Sequence, residues 1–352
     1  LARIRRREPV VLTGAPFGGD AVGAWDFDYL SGQVDEDAQW KVHVVPHELQ
    51  RFQPVYGENL GKGTIEPMSF QTFASRSAQE LSDSAYYVQM ALASSPADSG
   101  SRDPYGSDMR KDVDAFAWSW LRGLLADGDV GDLKSQQFWI GRGGALTPCH
   151  HDNNENIYFQ ICGRKRFLLI SPEETFNLYP YPVDHPLDAW SMVDFESPDL
   201  IRFPRFGSIF LALETVLEPG DCLYLPQCWW HQVSSGAGDN ISLNFWCDRA
   251  PPADAPPGGL ERLAFDFARL PADRRALKAH RLAEDFVNGA IKAGILGEDA
   301  TPGKFLTGLA WGWPATPFGE PDPTSEEVRA FGGQVRRLLR EALGGGEAAD
   351  RE

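Results

Sequence analysis

The sequence predicts a mainly β protein, a sandwich or barrel of short strands, with α/β elements ahead of it and helices behind. Three observations predict it. Between about 135 and 250, short apolar runs are cut by Gly, Pro and Asp: "QQFWIGRGG", "NIYFQICG", "KRFLLISP", "SIFLALETVLEPG", "DCLYLPQCWWHQVSSG" and "ISLNFWCD". Many short strands at this spacing suit a sandwich or barrel. Beyond 250 the spacing turns helical, with Leu282, Phe286, Val287, Ala290 and Ile291 recurring on one face. Ahead of 135, strand-like and helix-like stretches are mixed.

In chain order, "EPVVLTGAP" is a β-branched run ended by turn residues, hence a strand. Residues 68–80, "MSFQTFASRSAQE", read as helix and "SAYYVQMALA" as strand. The stretch 94–110 is rich in Ser, Asp, Gly and Pro and reads as a surface loop. "VDAFAWSWLRGLLADG" reads as a helix, and the strand-rich region follows it. "PPADAPPGG" then reads as a linker, and a last helix opens near Thr324 and Glu327, a capping-box pair. The expected organisation is a β domain with its N-terminal extension over 1–250, a helical region over 251–345 and a disordered tail over 346–352.

The totals bound the function. A chain of 352 residues with 42% hydrophobic and 24% charged content reads as a soluble globular protein. No apolar run approaches the roughly 18 residues that span a bilayer, so no membrane role is expected. The basic start "LARIRRREPVVLTG" has no apolar core and does not read as a secretory signal; it begins at Leu1, not Met. Five scattered cysteines without a C-x-x-C pair suit reduced thiols, hence a cytoplasmic or nuclear protein. A net charge of -17 argues against a nucleic-acid partner, which needs clustered Lys and Arg.

One stretch points to chemistry. "TPCHHDNN", residues 147–154, carries two of the seven histidines. On a strand, His150 and Asp152 point one way and His151 the other. His-x-Asp on one face is two thirds of a metal site, though the pair alone is a common accident. His231, far downstream in "LPQCWWHQVSSG", is the candidate third ligand. Two histidines and one carboxylate cover one face of an octahedral metal and leave three positions open. This donor set suits Fe(II); Mn, Co, Ni and Zn are alternatives.

Lys165, in "GRKRFLLISP", shares strand parity with Phe167 and Leu169. If those face the interior, so does the lysine, and a buried ammonium needs an anion. A dicarboxylate bound at the metal would supply one; the plain alternative is a lysine that snorkels to solvent, as Arg164 and Arg166 should. Thr147 could add a hydroxyl to the same carboxylate. Asn156 shares parity with His150 and Asp152, and Asn244 sits with Ser242 and Trp246 in "ISLNFWC". Trp229 and Trp230 could be plain core.

Together these segments resemble the JmjC-type 2-oxoglutarate oxygenases, and within them the asparaginyl hydroxylases most. The resemblance runs over roughly 8–248 and is densest in "GRGGALTPCHHDNNEN", "LYPYPVDHP", "VDFESPD", "RFPRF", "ETVLEPGDCLYLPQCWWH" and "NFW". It implies a double-stranded β-helix, a cupin-like jelly roll, with Fe(II) on His150, Asp152 and His231. It implies 2-oxoglutarate as cosubstrate, held by Lys165, Thr147 and Tyr87, with Asn156 and Asn244 in the same pocket. Gln89, Trp190 and Trp246 fall near the substrate groove. The implied activity is O2-dependent hydroxylation of a protein or peptide side chain, and the C-terminal helices would form a homodimer. Where the asparaginyl hydroxylases carry an Arg-Gln pair for the target amide, this chain has Ala189 and Trp190. That puts the target residue in doubt. A lysine or arginine hydroxylase, a methyl-lysine demethylase, a small-molecule oxygenase and a non-catalytic jelly-roll binding protein are the alternatives.

Overall fold

The structure is a computed structural model that describes residues 1–46, 63–79, 83–91, 107–181, 187, 189–249, 288 and 333. The expectations for the linker, the C-terminal helices, their dimer role and the tail lie outside the described residues. The chain divides into two compact units, Leu1–Tyr179 with Ala189–Ala250, and Pro180–Asp188 with Pro251–Glu352. The first unit holds all the described strands.

Two antiparallel sheets carry this unit. Its strands are β1 Val10–Leu12, β2 Trp40–Pro46, β3 Thr64–Met68, β4 Ser84–Ala91, β5 Val130–Arg142, β6 Leu146–His151, β7 Glu155–Cys162, β8 Lys165–Ile170, β9 Ala212–Leu217, β10 Cys222–Leu225, β11 Trp230–Ser235 and β12 Asp239–Arg249. The larger sheet runs β1-β10-β7-β12-β5-β4-β2-β3 and the smaller β6-β11-β8-β9. After β5, each described strand except β9 lies in the other sheet from its predecessor, and β8 and β9 are neighbours in one sheet. That alternation is the winding of a jelly roll, and it agrees with the fold class expected from the sequence.

The central strands of the larger sheet are buried on both faces, and the two faces differ in polarity. One face carries Val88, Phe138, Ile140, Ile157, Phe159, Ile161, Ile241, Leu243 and Phe245 into the main core. The opposite face, by strand alternation, carries Tyr87, Trp139, Asn156, Tyr158, Ser242, Asn244 and Trp246. It is this second, polar face that meets the smaller sheet.

Helices close the apolar side. They are α1 Ala2–Arg5, α2 Phe27–Gln33, α3 Phe70–Ser77, α4 Ser107–Ala115 and α5 Trp118–Asp127. Asp26 caps α2 by accepting from the Tyr29 N–H, and Ser69 caps α3 by accepting from the Thr72 N–H. α3 lies inside the stretch expected to be helical. The single helix expected over 113–128 is broken. Phe116 and Trp118 both pack on Phe17, with ring centroids 5.2 Å away in each case. Residues two apart on one helix do not share a face, so a continuous helix could not place both there. The Ala117 N–H instead donates to the Phe17 carbonyl, 2.9 Å away, and α5 restarts at Trp118. β2 and β3 are strands that the sequence reading did not assign; edge strand β3 tolerates Pro67 because an edge leaves an N–H unneeded.

Candidate metal centre and anion pocket

Strand pairing brings the two ligand histidines together. His150 on β6 and His231 on β11 are register partners, and their ring centroids lie 4.2 Å apart. Asp152 follows the end of β6, with its Oδ2 3.9 Å from His231 Nε2. The three potential ligand atoms all lie within 4.8 Å of one another. Both rings are already oriented from behind. His150 Nδ1 lies 2.9 Å from the Pro148 carbonyl and His231 Nδ1 3.0 Å from the Trp229 carbonyl. An Nδ1–H donated to a carbonyl leaves the Nε2 lone pair to face a metal. Burial, then the neighbouring His231, push His150 down to about 4, which favours the neutral imidazole that ligates.

Asp152 is held at both ends. Its carbonyl accepts from the Cys228 N–H at 2.7 Å, and its Oδ2 accepts from the Trp246 indole N–H at 3.2 Å. Cys228 adopts a left-handed backbone (φ 66°) in the turn between β10 and β11, an uncommon conformation for a residue with a side chain. This turn brings the N–H under Asp152.

His151 faces away, as strand alternation requires. It is buried and packs edge-on against Trp230, with centroids 4.7 Å apart. Trp230 is fully buried and donates to Thr175 Oγ1, so it belongs to the core. Trp190 stacks on His150, with centroids 4.4 Å apart and planes 16° from parallel. Residues 189–191 lie along β6 as an extra edge: the His151 N–H donates to Ala189 O and the Ser191 N–H to Cys149 O. The indole is thus part of the wall of the centre.

Lys165 is buried, not snorkelling; it is 1% exposed. Its Nζ donates to Tyr87 Oη at 2.9 Å, Tyr158 Oη at 2.7 Å and Ser242 Oγ at 2.9 Å. All three partners come from the polar face of the larger sheet, and none is a carboxylate. Burial pushes the lysine down to about 7 and raises both tyrosines. Arg164 and Arg166, of opposite parity or beyond the strand, pair with Glu218 and Glu214 at the surface. Leu169 is the register partner of His231, so Lys165 starts four residues, roughly 13 Å, along β8 from the histidines and on the same face.

Thr147 shares that face through a bulge. Strict alternation would put residues three apart on opposite faces. The register passes from His231↔His150 to Val233↔Thr147, two steps on β11 against three on β6. The extra residue returns Thr147 to the side of His150. Asn156 is 3% exposed, lies opposite Trp246, and its Oδ1 has no hydrogen-bond partner among the described residues. Asn244 Oδ1 accepts from Trp139 Nε1 at 2.8 Å. Gln89 is half-buried beside Trp139 on the same face. Tyr158, Trp139 and the role of Ser242 at Lys165 escaped the sequence reading, although Tyr158 has the parity of Asn156 and Ser242 that of Asn244.

Comparison with known proteins places this geometry in a family. Residues 2–252 match the description of a Cupin-like domain. The chain is 41% identical over 112 residues to HSPB1-associated protein 1 of Rattus norvegicus, covering 31% of this chain and 23% of that protein. It is 39% identical over 122 residues to Lysine-specific demethylase 8 of Danio rerio, covering 35% and 29%. It is 36% identical over 115 residues to Jumonji C domain-containing protein 5 of Drosophila melanogaster, covering 33% and 27%. These matches span about a quarter of each relative's length. A solved structure of the Escherichia coli ribosomal oxygenase YcfD overlaps with a TM-score of 0.38 at 16% identity, covering 97% of this chain and 65% of that one. The relatives carry the broader JmjC resemblance and do not single out its asparaginyl hydroxylases. By the extent of the match over 2–252, the chain belongs to the Cupin-like domain family.

Proposed function

We propose that this chain is an Fe(II)- and 2-oxoglutarate-dependent dioxygenase that hydroxylates a side chain of a protein or peptide. The observation that carries the reading is one shared face with two features: a His150–Asp152–His231 cluster, and a buried lysine whose described partners are all neutral hydroxyls. The residues fit the pair of groups. Two imidazoles with their Nδ1 atoms at carbonyls and one carboxylate would hold the iron. A buried ammonium without a counter-charge fits the far carboxylate of a dicarboxylate. The unpartnered Oδ1 of Asn156 fits a pocket that receives a polar ligand.

Iron and 2-oxoglutarate, when bound, supply O2 activation and C–H oxidation, with 2-oxoglutarate leaving as succinate and CO2. The chain supplies placement. Lys165 would hold the far carboxylate, with Tyr87 and Thr147 beside it. Trp246 fixes the orientation of Asp152 by its indole N–H, and Trp190 fixes the plane of His150. The apolar residues that cluster with Tyr158, among them Phe167, Leu169, Leu223 and Leu225, would keep water from this face. No side-chain nucleophile is required.

A second reading keeps the chemistry and changes the target. Trp190 stands where the resembling hydroxylases bind an amide, and it is stacked on His150 and only 7% exposed. A lysine or arginine hydroxylase, a demethylase of methyl-lysine, or an oxygenase of a small molecule fits that wall as well. The test of the common reading is succinate production from 2-oxoglutarate when O2 is admitted to Fe(II)-loaded protein, beside His231→Ala. Iron-dependent succinate that disappears in the variant supports it; no succinate together with no calorimetric binding of 2-oxoglutarate overturns it. Mass spectrometry of peptide libraries then separates the targets by mass shift and modified residue.

A further inference from the structure

Gly141 is a strand residue without a backbone reason to be glycine. It lies inside β5, and it is not among the glycines in the left-handed region. A side chain there would meet one obstacle. A Cβ at Gly141 would sit 2.9 Å from Cε2 of Tyr87 and closer still to Cδ2, while its next neighbour, the Tyr86 carbonyl, is at an ordinary 3.7 Å. Tyr87 and Gly141 are register partners across β4 and β5, so the tyrosine ring lies directly over the glycine. Glycine inside a strand often marks such a close approach.

The ring has little room to yield. Tyr87 is 5% exposed and packs with Val45, Ala145 and Trp139. Its hydroxyl accepts from Lys165 Nζ at 2.9 Å. Restoring an ordinary carbon–carbon contact of about 3.5 Å needs a ring displacement on the order of 1 Å. Carried to the hydroxyl and directed away from Lys165, a shift of that size takes the 2.9 Å contact out of hydrogen-bond range. The clearance at Gly141 and the position of the Tyr87 hydroxyl at Lys165 are therefore one feature.

We propose that Gly141 is a positioning residue of the anion pocket: the absence of a side chain at that point of β5 is what places the Tyr87 hydroxyl on Lys165 and shapes the seat of the bound carboxylate. This rests on the reading of Lys165 as the anchor of 2-oxoglutarate. Gly141 is not among the residues that would hold the metal or the cosubstrate, and it would act only through Tyr87.

The experiment measures 2-oxoglutarate affinity by anaerobic calorimetry on Fe(II)-loaded wild type, Gly141→Ala, Tyr87→Phe and the double variant, with iron affinity measured separately. Gly141→Ala is expected to weaken 2-oxoglutarate binding about tenfold, the scale of one hydrogen bond in a charged network, with iron affinity unchanged. In the Tyr87→Phe background the glycine change should cost little more, because the hydroxyl it displaces is already gone. Wild-type affinity in Gly141→Ala, or fully additive losses in the double variant, overturns the proposal. A ligand-free readout keeps it separate from the oxygenase reading. In protein labelled with fluorotyrosine, the fluorine resonance lost in Tyr87→Phe should move in Gly141→Ala; an unmoved resonance overturns the proposal even if wild type binds 2-oxoglutarate. If wild type fails to bind 2-oxoglutarate, the oxygenase reading falls and the resonance still decides the placement. If Gly141→Ala does not fold, Tyr87→Ala/Gly141→Ala must, since the obstructing ring is gone; failure of that variant also overturns the proposal.

Discussion

Replacing Lys165 with methionine separates binding from stability in a way few substitutions do. The lysine is buried among Tyr87, Tyr158 and Ser242, and its ionisation is pushed down from 10.5 to about 7 by desolvation. At about 1.36 kcal/mol per pH unit, the fully charged form costs the folded protein about 5 kcal/mol. The sign follows from proton counting. Between pH 7 and 10.5 the unfolded lysine holds the proton and the folded one does not, so the contribution of Lys165 to wild-type stability rises with pH across that window and its whole cost is present below it. Both tyrosines facing the lysine have raised values and stay neutral there. Methionine removes the charge and keeps most of the volume. It also strips three hydroxyls of a donor, a loss of about 1–3 kcal/mol, softened by the 2.6 Å bond that Tyr158 and Ser242 keep with each other. The ligand-free variant should therefore be more stable than wild type by about 2 kcal/mol at pH 7. That advantage should shrink by a further amount of about 2 kcal/mol by pH 8.5. Urea unfolding of both proteins at the two pH values measures it, and calorimetry should show that the stabilised variant no longer binds 2-oxoglutarate. A variant that is less stable at pH 7 by an amount independent of pH would refute the buried-ammonium reasoning.

Two further outcomes follow from the same geometry. Binding of 2-oxoglutarate at pH 8 should take up close to one proton, because Lys165 is mostly neutral in the empty pocket and charged against a carboxylate; affinity should fall as pH rises above about 7. Calorimetry in two buffers of different ionisation enthalpy reads the uptake, and none would remove Lys165 as the anchor. Trp246→Phe keeps the ring and deletes the N–H that reaches Asp152, so iron affinity should drop about 10- to 100-fold with little change in unfolding midpoint. An unchanged metal titration would reduce Trp246 to packing.

Much of the candidate site was legible because strand alternation is local. His150 and His151 had to face opposite ways, and Lys165 had to share a side with Phe167 and Leu169; the structure keeps both relations. The strand-rich centre was equally plain, since apolar runs and turn residues are read along the chain. The two early strands were harder. Among the described residues β3 pairs only with β2, and Pro67 weakens its strand pattern. The helix over 113–128 broke for a reason outside its own sequence: Phe17, about a hundred residues earlier, needs both Phe116 and Trp118.

The sequence by itself thus determined which residues alternate, which side of a strand His150, Asp152 and Lys165 share with their neighbours, and that a buried cation at Lys165 would call for an anion. Only the tertiary structure decided what surrounds that lysine. Tyr87, Tyr158 and Ser242 come from three different strands, and the register that joins them is set by pairing across the whole sheet. The same holds for Thr147, which reaches the His150 face only because β6 carries one residue more than β11 between paired positions. Trp190 meets His150 through a backbone bridge forty residues on. Alternation depends on adjacent peptide units, whereas register, bulges and stacking depend on segments that meet only when the chain has folded.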